Sequence, residues 1–241
     1  MKHRLGSETT PDWGRRRRAL KRSFDLFAAA VGLALLWPVI LVGWLVAQRS
    51  TGKGFFTQVR VGRYWAKFRV VKLRTMRIGS SGDAVTRAGD ERLTPAGRVL
   101  RRYRLDELPQ LLNVIRGDMS LVGPRPDVPG YADLLQGEEA RLLSVRPGIT
   151  GPATLLFRDE ELLLGEADDP KRFNDEVIYP LKVRVNLAYL SVQSLPFDVL
   201  CVVATLVGLG RRYAVNRCLE CAGIAHEDLP ERLRASLSDR D

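Results

Sequence analysis

Two adjacent carboxylates, Asp106 and Glu107, lie in the stretch Leu105-Asp106-Glu107-Leu108-Pro109-Gln110 amid a high density of arginine. Arg98, Arg101, Arg102 and Arg104 precede the pair. Arg116 and Arg125 follow it, the second within Gly117-Asp118-Met119-Ser120-Leu121-Val122-Gly123-Pro124-Arg125-Pro126. Paired acids ringed by guanidinium groups suit a site that handles an anionic, metal-bound substrate, because the cations favour ionised carboxylates and bind phosphate. The same composition also describes a salt-bridged helix surface, so the rest of the chain has to decide.

The elements around the pair are legible from spacing. Thr94-Pro95 predicts a helix start, with Thr94 as N-cap and Pro95 at the first helical position. Leu100, Tyr103, Leu108, Leu111, Leu112 and Ile115 continue the helical period to about Arg116, with a break or restart at Pro109 near Glu107. That puts the pair close to a helix end, where free backbone amides can meet anions. Upstream, 55–62 and 67–74 alternate apolar and basic residues and predict two strands joined by a turn, with Lys67, Arg69 and Lys72 along one face. Ile78 to Gly89 reads as a loop. Downstream, the pattern predicts a helix over 132–143, a turn at Arg146-Pro147-Gly148 and a strand over 149–157. It then predicts helices over 181–194 and 199–209, with Asp198 capping the second.

The net charge of +10 over 241 residues points to an anionic partner: nucleic acid, acidic lipid or a phosphorylated substrate. Nucleic acid is the weakest of the three, since no interleaved aromatic and basic stacking surface is present. Cys201, Cys218 and Cys221 cannot all pair with one another, which favours a reducing compartment. Cys218 and Cys221 have metal-ligand spacing with His226 nearby, but no second such pair completes a zinc site, and they read as ordinary thiols.

The N-terminal tail to Gly14 is polar. Arg15 to Arg18, Lys21 and Arg22 then lead into an uncharged run of 22 residues, Leu26 to Ala47, long enough to cross a bilayer core. Arg49, Lys53 and Arg60 follow, so cationic residues flank both ends and would hold both on the cytoplasmic side. Pro38 lies near the middle and bends a helix. A re-entrant helix-break-helix hairpin satisfies both facts; one kinked transmembrane helix is the alternative. The run 199–209 is too short to span and suits an interface or a core.

Together with the basic run that leads to Trp37-Pro38, several segments carry a resemblance. They are Phe56-Thr57-Gln58-Val59-Arg60-Val61-Gly62, Lys72-Leu73-Arg74-Thr75-Met76, Leu105 to Asn113, Gly117 to Pro126, and Arg146-Pro147-Gly148-Ile149-Thr150-Gly151. The chain resembles the bacterial sugar transferases, the monotopic phosphoglycosyl transferases. The resemblance implies an enzyme that moves a sugar 1-phosphate from a UDP-sugar to polyprenyl (undecaprenyl) phosphate, releases UMP and initiates glycoconjugate or exopolysaccharide synthesis. It implies Asp106 as the nucleophile that becomes a covalent phosphosugar, Glu107 as a ligand of Mg²⁺, Lys72, Arg101, Arg125 and Arg158 as substrate contacts, and Pro38 as the membrane kink. Arg125, between two prolines, carries its guanidinium on a stiff stem suited to bidentate phosphate contact. Arg102 and Arg104 read as solvated charges or lipid contacts.

The implied fold is α+β and mostly helical: a re-entrant membrane hairpin, then a compact cytoplasmic domain with a short β-hairpin and interfacial amphipathic helices. Residues 1–23 form a basic membrane-surface segment, 24–49 the hairpin, 50–215 the catalytic domain and 216–241 a polar extension. The implied setting is the cytoplasmic face of the bacterial inner membrane, on its lipids, with no nucleic acid and with a homodimer allowed. The chain looks like the minimal catalytic unit, without the extra N-terminal spans of larger relatives. Two departures stand out. Trp37 replaces the serine that precedes the proline in many relatives. Pro152-Ala153-Thr154-Leu155-Leu156-Phe157-Arg158 replaces Trp-Ala-Gln-Val-Asn-Gly-Arg, which bears on sugar recognition.

Overall fold

The computed structural model describes residues 14–79 and 90–238; the N-terminal tail and most of the expected 78–89 loop lie outside the described residues. The apolar run is the middle of one helix, α1 (Arg15–Thr51), which takes in the basic residues before it. The expected helix-break-helix is corrected here, because α1 passes through Pro38 without a gap. A proline removes only its own bond to the carbonyl four residues back, and the flanking ladder can carry the helix on.

One stripe of α1 is buried: Asp25, Ala29, Gly43, Ala47 and Thr51, at helical spacing. The opposite stripe is apolar and open, with Phe27, Leu35, Trp37 and Val42 between 58% and 71% exposed. Both halves rest on the same body. Near the N-terminus, Asp25 accepts from Ser120 Oγ (2.8 Å) and the Leu121 amide (3.2 Å), and Arg22 donates to the Val114 carbonyl (2.7 Å). Lys21 donates to Asp198 (2.7 Å), which also accepts from the Tyr189 hydroxyl (2.6 Å). Near the other end, Ala47 packs with Leu73 and Leu100, flanked by Trp44 and Leu105. Asp25→Ala is expected to cost about 2 kcal/mol of stability, because the buried Leu121 amide loses its acceptor while the Ser120 hydroxyl keeps only the Val122 carbonyl. Chemical denaturation in detergent micelles would measure it.

After α1, β1 (Phe55–Val61) and β2 (Lys67–Leu73) pair antiparallel in the expected hairpin, from Phe55 opposite Leu73 to Val61 opposite Lys67. Helix α2 (Pro95–Arg102) starts as its sequence predicts, with the Thr94 hydroxyl accepting from the Gly97 amide at 2.9 Å. It ends sooner than the apolar period suggests. Arg104 takes a left-handed conformation (φ 53°), and Leu105–Gln110 form a 3₁₀ segment with Pro109 inside it, followed by α3 (Leu111–Arg116). The break therefore falls at Arg104, and Pro109, late in the 3₁₀ segment and just ahead of α3, marks the restart.

Strand β3 (Ser120–Val122) pairs in parallel with β4 (Gly148–Thr150). The backbones meet so closely that a Cβ on Gly148 would lie 2.1 Å from the Gly123 nitrogen. The expected strand over 149–157 is corrected to β4 followed by α4 (Pro152–Leu156), because Pro152 supplies the fixed φ of a first helical turn. The expected helix over 132–143 is two 3₁₀ turns, Ala132–Leu134 and Glu139–Ser144, separated by Gly137 at φ 54°.

The remaining helices are α5 (Glu160–Glu166), α6 (Pro170–Phe173), α7 (Tyr179–Val192), α8 (Leu195–Val207), α9 (Arg211–Cys221) and α10 (Glu231–Ser238). The cap of α8 is Ser194, which accepts from the Phe197 amide, and not Asp198, whose carboxylate is taken by Lys21 and Tyr189. Fully buried Leu156, Ile178, Val185 and Tyr189 centre the main core. Cys218, Leu219, Leu229, Leu233 and Leu237 join the same core, so 216–238 packs as part of this body. Burial pushes the Cys218 thiol up to about 12, the state of a core residue. The C-terminal end of α8 stays open, with Leu206 and Val207 more than 70% exposed.

Candidate active site

Asp106 and Glu107 lie in the first turn of the 3₁₀ segment, both nearly buried, facing a cavity of about 1030 Å³. Three supports hold the segment. Leu105 packs against the Ala47–Leu73–Leu100 cluster. Asn113 on α3 accepts from the Val71 amide (3.1 Å) and donates to the Arg69 carbonyl (2.8 Å), which fixes α3 to β2. The β3–β4 pair anchors the far side, with the Gly148 amide donating to the Pro124 carbonyl at 2.8 Å. Lys72, from β2, and Arg125, from the turn after β3, are thereby aimed at one carboxylate.

That carboxylate is Glu107. Lys72 Nζ donates to its Oε1 at 2.8 Å, Arg125 Nη2 donates to the same oxygen, and Arg125 Nη1 reaches Oε2 at 3.3 Å. Burial raises the Glu107 pKa, but Arg125 and Lys72 outweigh it and hold the carboxyl well below the usual range. Asp106 differs. Among the described residues its carboxylate has no hydrogen-bond or ion-pair partner. Burial and then the Glu107 charge raise its pKa to about 6, against the opposing pull of Lys72, Arg101 and Arg125. Two neighbouring acids thus hold different states, one clamped and one free.

The six residues expected at the site, Lys72, Arg101, Asp106, Glu107, Arg125 and Arg158, all line this cavity. Arg101 donates to Thr75 Oγ1 (3.1 Å) and to Glu161 (2.6 Å). Arg158 is exposed at the rim, and its carbonyl accepts from Arg104 Nη2 at 3.4 Å. Pro38 lies in α1, apart from the cavity residues.

Arg104, Arg60, Asp127 and Lys182, none of them among the substrate contacts that the resemblance implies, also line the cavity. On a continuous helix Arg104 would be a solvated or lipid-facing charge. The left-handed turn reverses its direction and brings it under the influence of both carboxylates. Asp127 follows Pro126 directly, and burial first, against Lys182, Arg60 and Arg125, raises its pKa. Its position behind the proline-flanked Arg125 was a usable signal.

A divalent cation finds a partial set of ligands here. No group of three or more His, Cys, Asp or Glu side chains is gathered among the described residues. Glu107 Oε2 accepts one long bond and keeps a free lone pair, and the Asp106 carboxylate is unpartnered beside it. One carboxylate oxygen of Glu107, with the remaining ligands left to phosphate and water, is a donor set that fits Mg²⁺.

The chain belongs to the bacterial sugar transferase family, whose model matches residues 16–212. It is 46% identical over 139 residues to the UDP-glucose:undecaprenyl-phosphate glucose-1-phosphate transferase of Caulobacter vibrioides, covering 55% of this chain and 52% of that protein. It is 36% identical over 203 residues to the UDP-N-acetylgalactosamine-undecaprenyl-phosphate N-acetylgalactosaminephosphotransferase of Aeromonas hydrophila, 80% of this chain and 45% of that protein. The uncharacterised sugar transferase EpsL of Bacillus subtilis is 39% identical over 182 residues, 72% of this chain and 90% of EpsL. The chain thus spans about half the length of the first two relatives.

Proposed function

We propose that this protein transfers a sugar 1-phosphate from a UDP-sugar to polyprenyl (undecaprenyl) phosphate and releases UMP, through a covalent phosphosugar on Asp106. One observation carries the reading: within a cation-lined cavity, Glu107 is clamped by Lys72 and Arg125 while Asp106 beside it is free. An unpartnered, desolvated carboxylate is a stronger nucleophile than a paired one. The Asp106 oxygen attacks the sugar-bearing phosphorus, the bond to the bridging oxygen breaks, and UMP leaves with the electron pair. The phosphate oxygen of the polyprenyl carrier then attacks the same phosphorus. The bond to Asp106 breaks, and the carboxylate is restored.

Arg101 and Arg125 suit phosphate contact by charge and fork geometry. Glu107, through Oε2, is the residue that would hold Mg²⁺, which neutralises diphosphate charge when bound. Two relatives' names carry the same reaction, one with glucose and one with N-acetylgalactosamine. Which sugar this chain takes is a matter for its own pocket, where Thr154 and Phe157 depart from the pattern.

The reading places the protein on the cytoplasmic face of the bacterial inner membrane, seated monotopically by α1, which stays helical through Pro38 but is kinked there so that both ends keep to that face. The open apolar stripe of α1 and the open end of α8 support the lipid contact. The attachment of both halves of α1 to one body supports same-side ends. Cysteines introduced at Gly14 and at Ser50, in a variant without native cysteine, are expected to react together from the cytoplasmic side of sealed inverted vesicles. Reaction from opposite sides would replace the re-entrant seat by a crossing helix.

The activity test uses the full chain in nanodiscs with Mg²⁺, undecaprenyl phosphate and a panel of labelled UDP-sugars. UMP release with at least one sugar is expected. Binding of UDP-sugars with no turnover across the panel would leave a non-catalytic binding module and overturn the transferase reading.

A further inference from the structure

Part of the cavity wall has no task in the phosphate chemistry. Helix α7 turns one stripe towards the cavity: Tyr179, Lys182, Val183 and Asn186, at the spacing of a single helix face. Lys182 is taken by both oxygens of Glu160, each at 2.7 Å. On either side of it, the Tyr179 hydroxyl and Asn186 Oδ1 are shut off from solvent and have no hydrogen-bond partner among the described residues. Thr154 Oγ1, on the helix α4 that packs against α7, is in the same state. Thr154 and Asn186 are only 9% and 7% exposed. One further cavity residue has such an atom, Arg74 Nε, and its guanidinium is packed over the Phe56 ring at 5.2 Å.

A fourth group joins these three. The Asp127 carboxylate has no hydrogen-bond or ion-pair partner among the described residues, although the charges of Lys182, Arg60 and Arg125 act on it. Burial and then the Asp127 charge raise the pKa of the Tyr179 hydroxyl. Asp127 therefore neighbours both Arg125 and the α7 stripe.

Unpaired and enclosed, these groups oppose folding, since each has lost water and gained nothing in return. Their chemistry defines the ligand that would pair them. Two hydroxyls and an amide both donate and accept, and the carboxylate only accepts. Phosphate is the wrong complement, because it brings no donor to Asp127 and is repelled by it. A uracil base has one N–H to give. A hexose has several hydroxyls, each a donor and an acceptor. In a UDP-sugar the hexose is joined to the phosphorus that Asp106 attacks, so its ring lies beside the Arg125 clamp, where Asp127 follows two residues on.

We propose that Asp127, Thr154, Tyr179 and Asn186 form the subsite that binds the hydroxyl groups of the transferred hexose and selects among hexoses. The subsite rests on the reaction under Proposed function and adds the part of the cavity that recognises the sugar. Filling it takes side-chain turns about χ1 of Thr154 and Tyr179 and χ2 of Asn186, whose half-turn exchanges the amide oxygen and nitrogen. No internal hydrogen bond of these three polar groups has to break first.

The test places Thr154→Val, Asn186→Leu and Asp127→Asn in the full chain in nanodiscs. Each is combined with Asp106→Asn, so that binding is read without turnover. Calorimetric titration with UDP-glucose, UDP-galactose and their two N-acetylamino counterparts reads the sugar, and titration with UDP and UMP reads the nucleotide. For at least one sugar nucleotide, Thr154→Val and Asn186→Leu are expected to weaken binding about 3- to 10-fold and Asp127→Asn about 10-fold or more, with UDP and UMP held within about twofold. Thr154→Val and Asn186→Leu should also be no less stable than the parent to heat, because each exchanges an unpaired buried polar group for an apolar one. Equal weakening of UDP and UMP would assign these groups to the nucleotide and overturn the sugar subsite. Unchanged binding of all four sugar nucleotides would overturn it too, as would lowered stability in both variants. Failure of the parent chain to bind any of the four, or absence of UMP release by the native protein, would instead overturn the transferase reading.

Discussion

Asp106→Asn is expected to abolish UMP release, by at least ~10³-fold, and at the same time to make the protein more stable. The first effect follows from the amide, which matches the carboxylate in shape but cannot attack phosphorus. The second follows from the carboxylate's surroundings. Burial and the Glu107 charge raise the Asp106 pKa from 3.8 to about 6, so the ionised form is disfavoured by the fold. The sign is set by linkage: a carboxyl raised on folding destabilises the folded state wherever it is ionised. That cost is fully present above about pH 6 and disappears as pH falls through 6 towards 3.8. At pH 7 the asparagine variant should gain about 1–3 kcal/mol in buffer free of magnesium and substrate, and the gain should vanish near pH 4. Denaturant titration at the two pH values measures it. An active variant would remove Asp106 from the reaction. A less stable one would mean that the charge is compensated by groups other than those around it.

Much of this site is legible in the residues. The Asp-Glu pair, the arginines and the proline-flanked Arg125 carry the chemistry, and the alternation at 55–61 and 67–73 gives the hairpin that delivers Lys72. The hidden parts depend on tertiary contacts. The apolar period runs on through Tyr103 and Leu108 as though one helix continued, because both the helix and the 3₁₀ segment bury leucines against the same cluster. Nothing local reports the left-handed turn at Arg104, an arginine where glycine or asparagine would have signalled it. The same blindness affects Asp25. A lone acid at the edge of an apolar run reads as a flank, and only the fold places Ser120 and the Leu121 amide against it. The difference between the two acids of the pair was implied by resemblance alone until their partners were visible.

That difference makes the second large effect opposite in sign to the first. Glu107→Gln is expected to lower activity by about 10²-fold or more and to destabilise the protein by about 2–4 kcal/mol. Glu107 is the counter-ion of both Lys72 and Arg125, and an amide leaves two cations facing one another in a largely enclosed site. The lower end of the range allows for Arg125, whose side chain is 34% exposed and partly screened. Arg125 and Lys72 hold the Glu107 carboxyl below its ordinary value of 4.5 despite burial, so its contribution is present above that value and is lost as pH falls through the lower, folded one. The stability gap between the native protein and Glu107→Gln should therefore be wide at pH 7 and narrow on acidification below 4.5. Adding Lys72→Met to Glu107→Gln removes one of the stranded cations and should recover at least half of the lost stability without recovering activity. Denaturant titration of the single and double variants provides that cycle. Recovery of activity in the double variant would show that Glu107 serves only as a counter-ion. Equal effects on stability from Asp106→Asn and Glu107→Gln would mean that the two acids share one environment. Opposite signs from two isosteric changes at adjacent positions are what a fold leaves when one carboxylate is clamped and its neighbour is kept free to react.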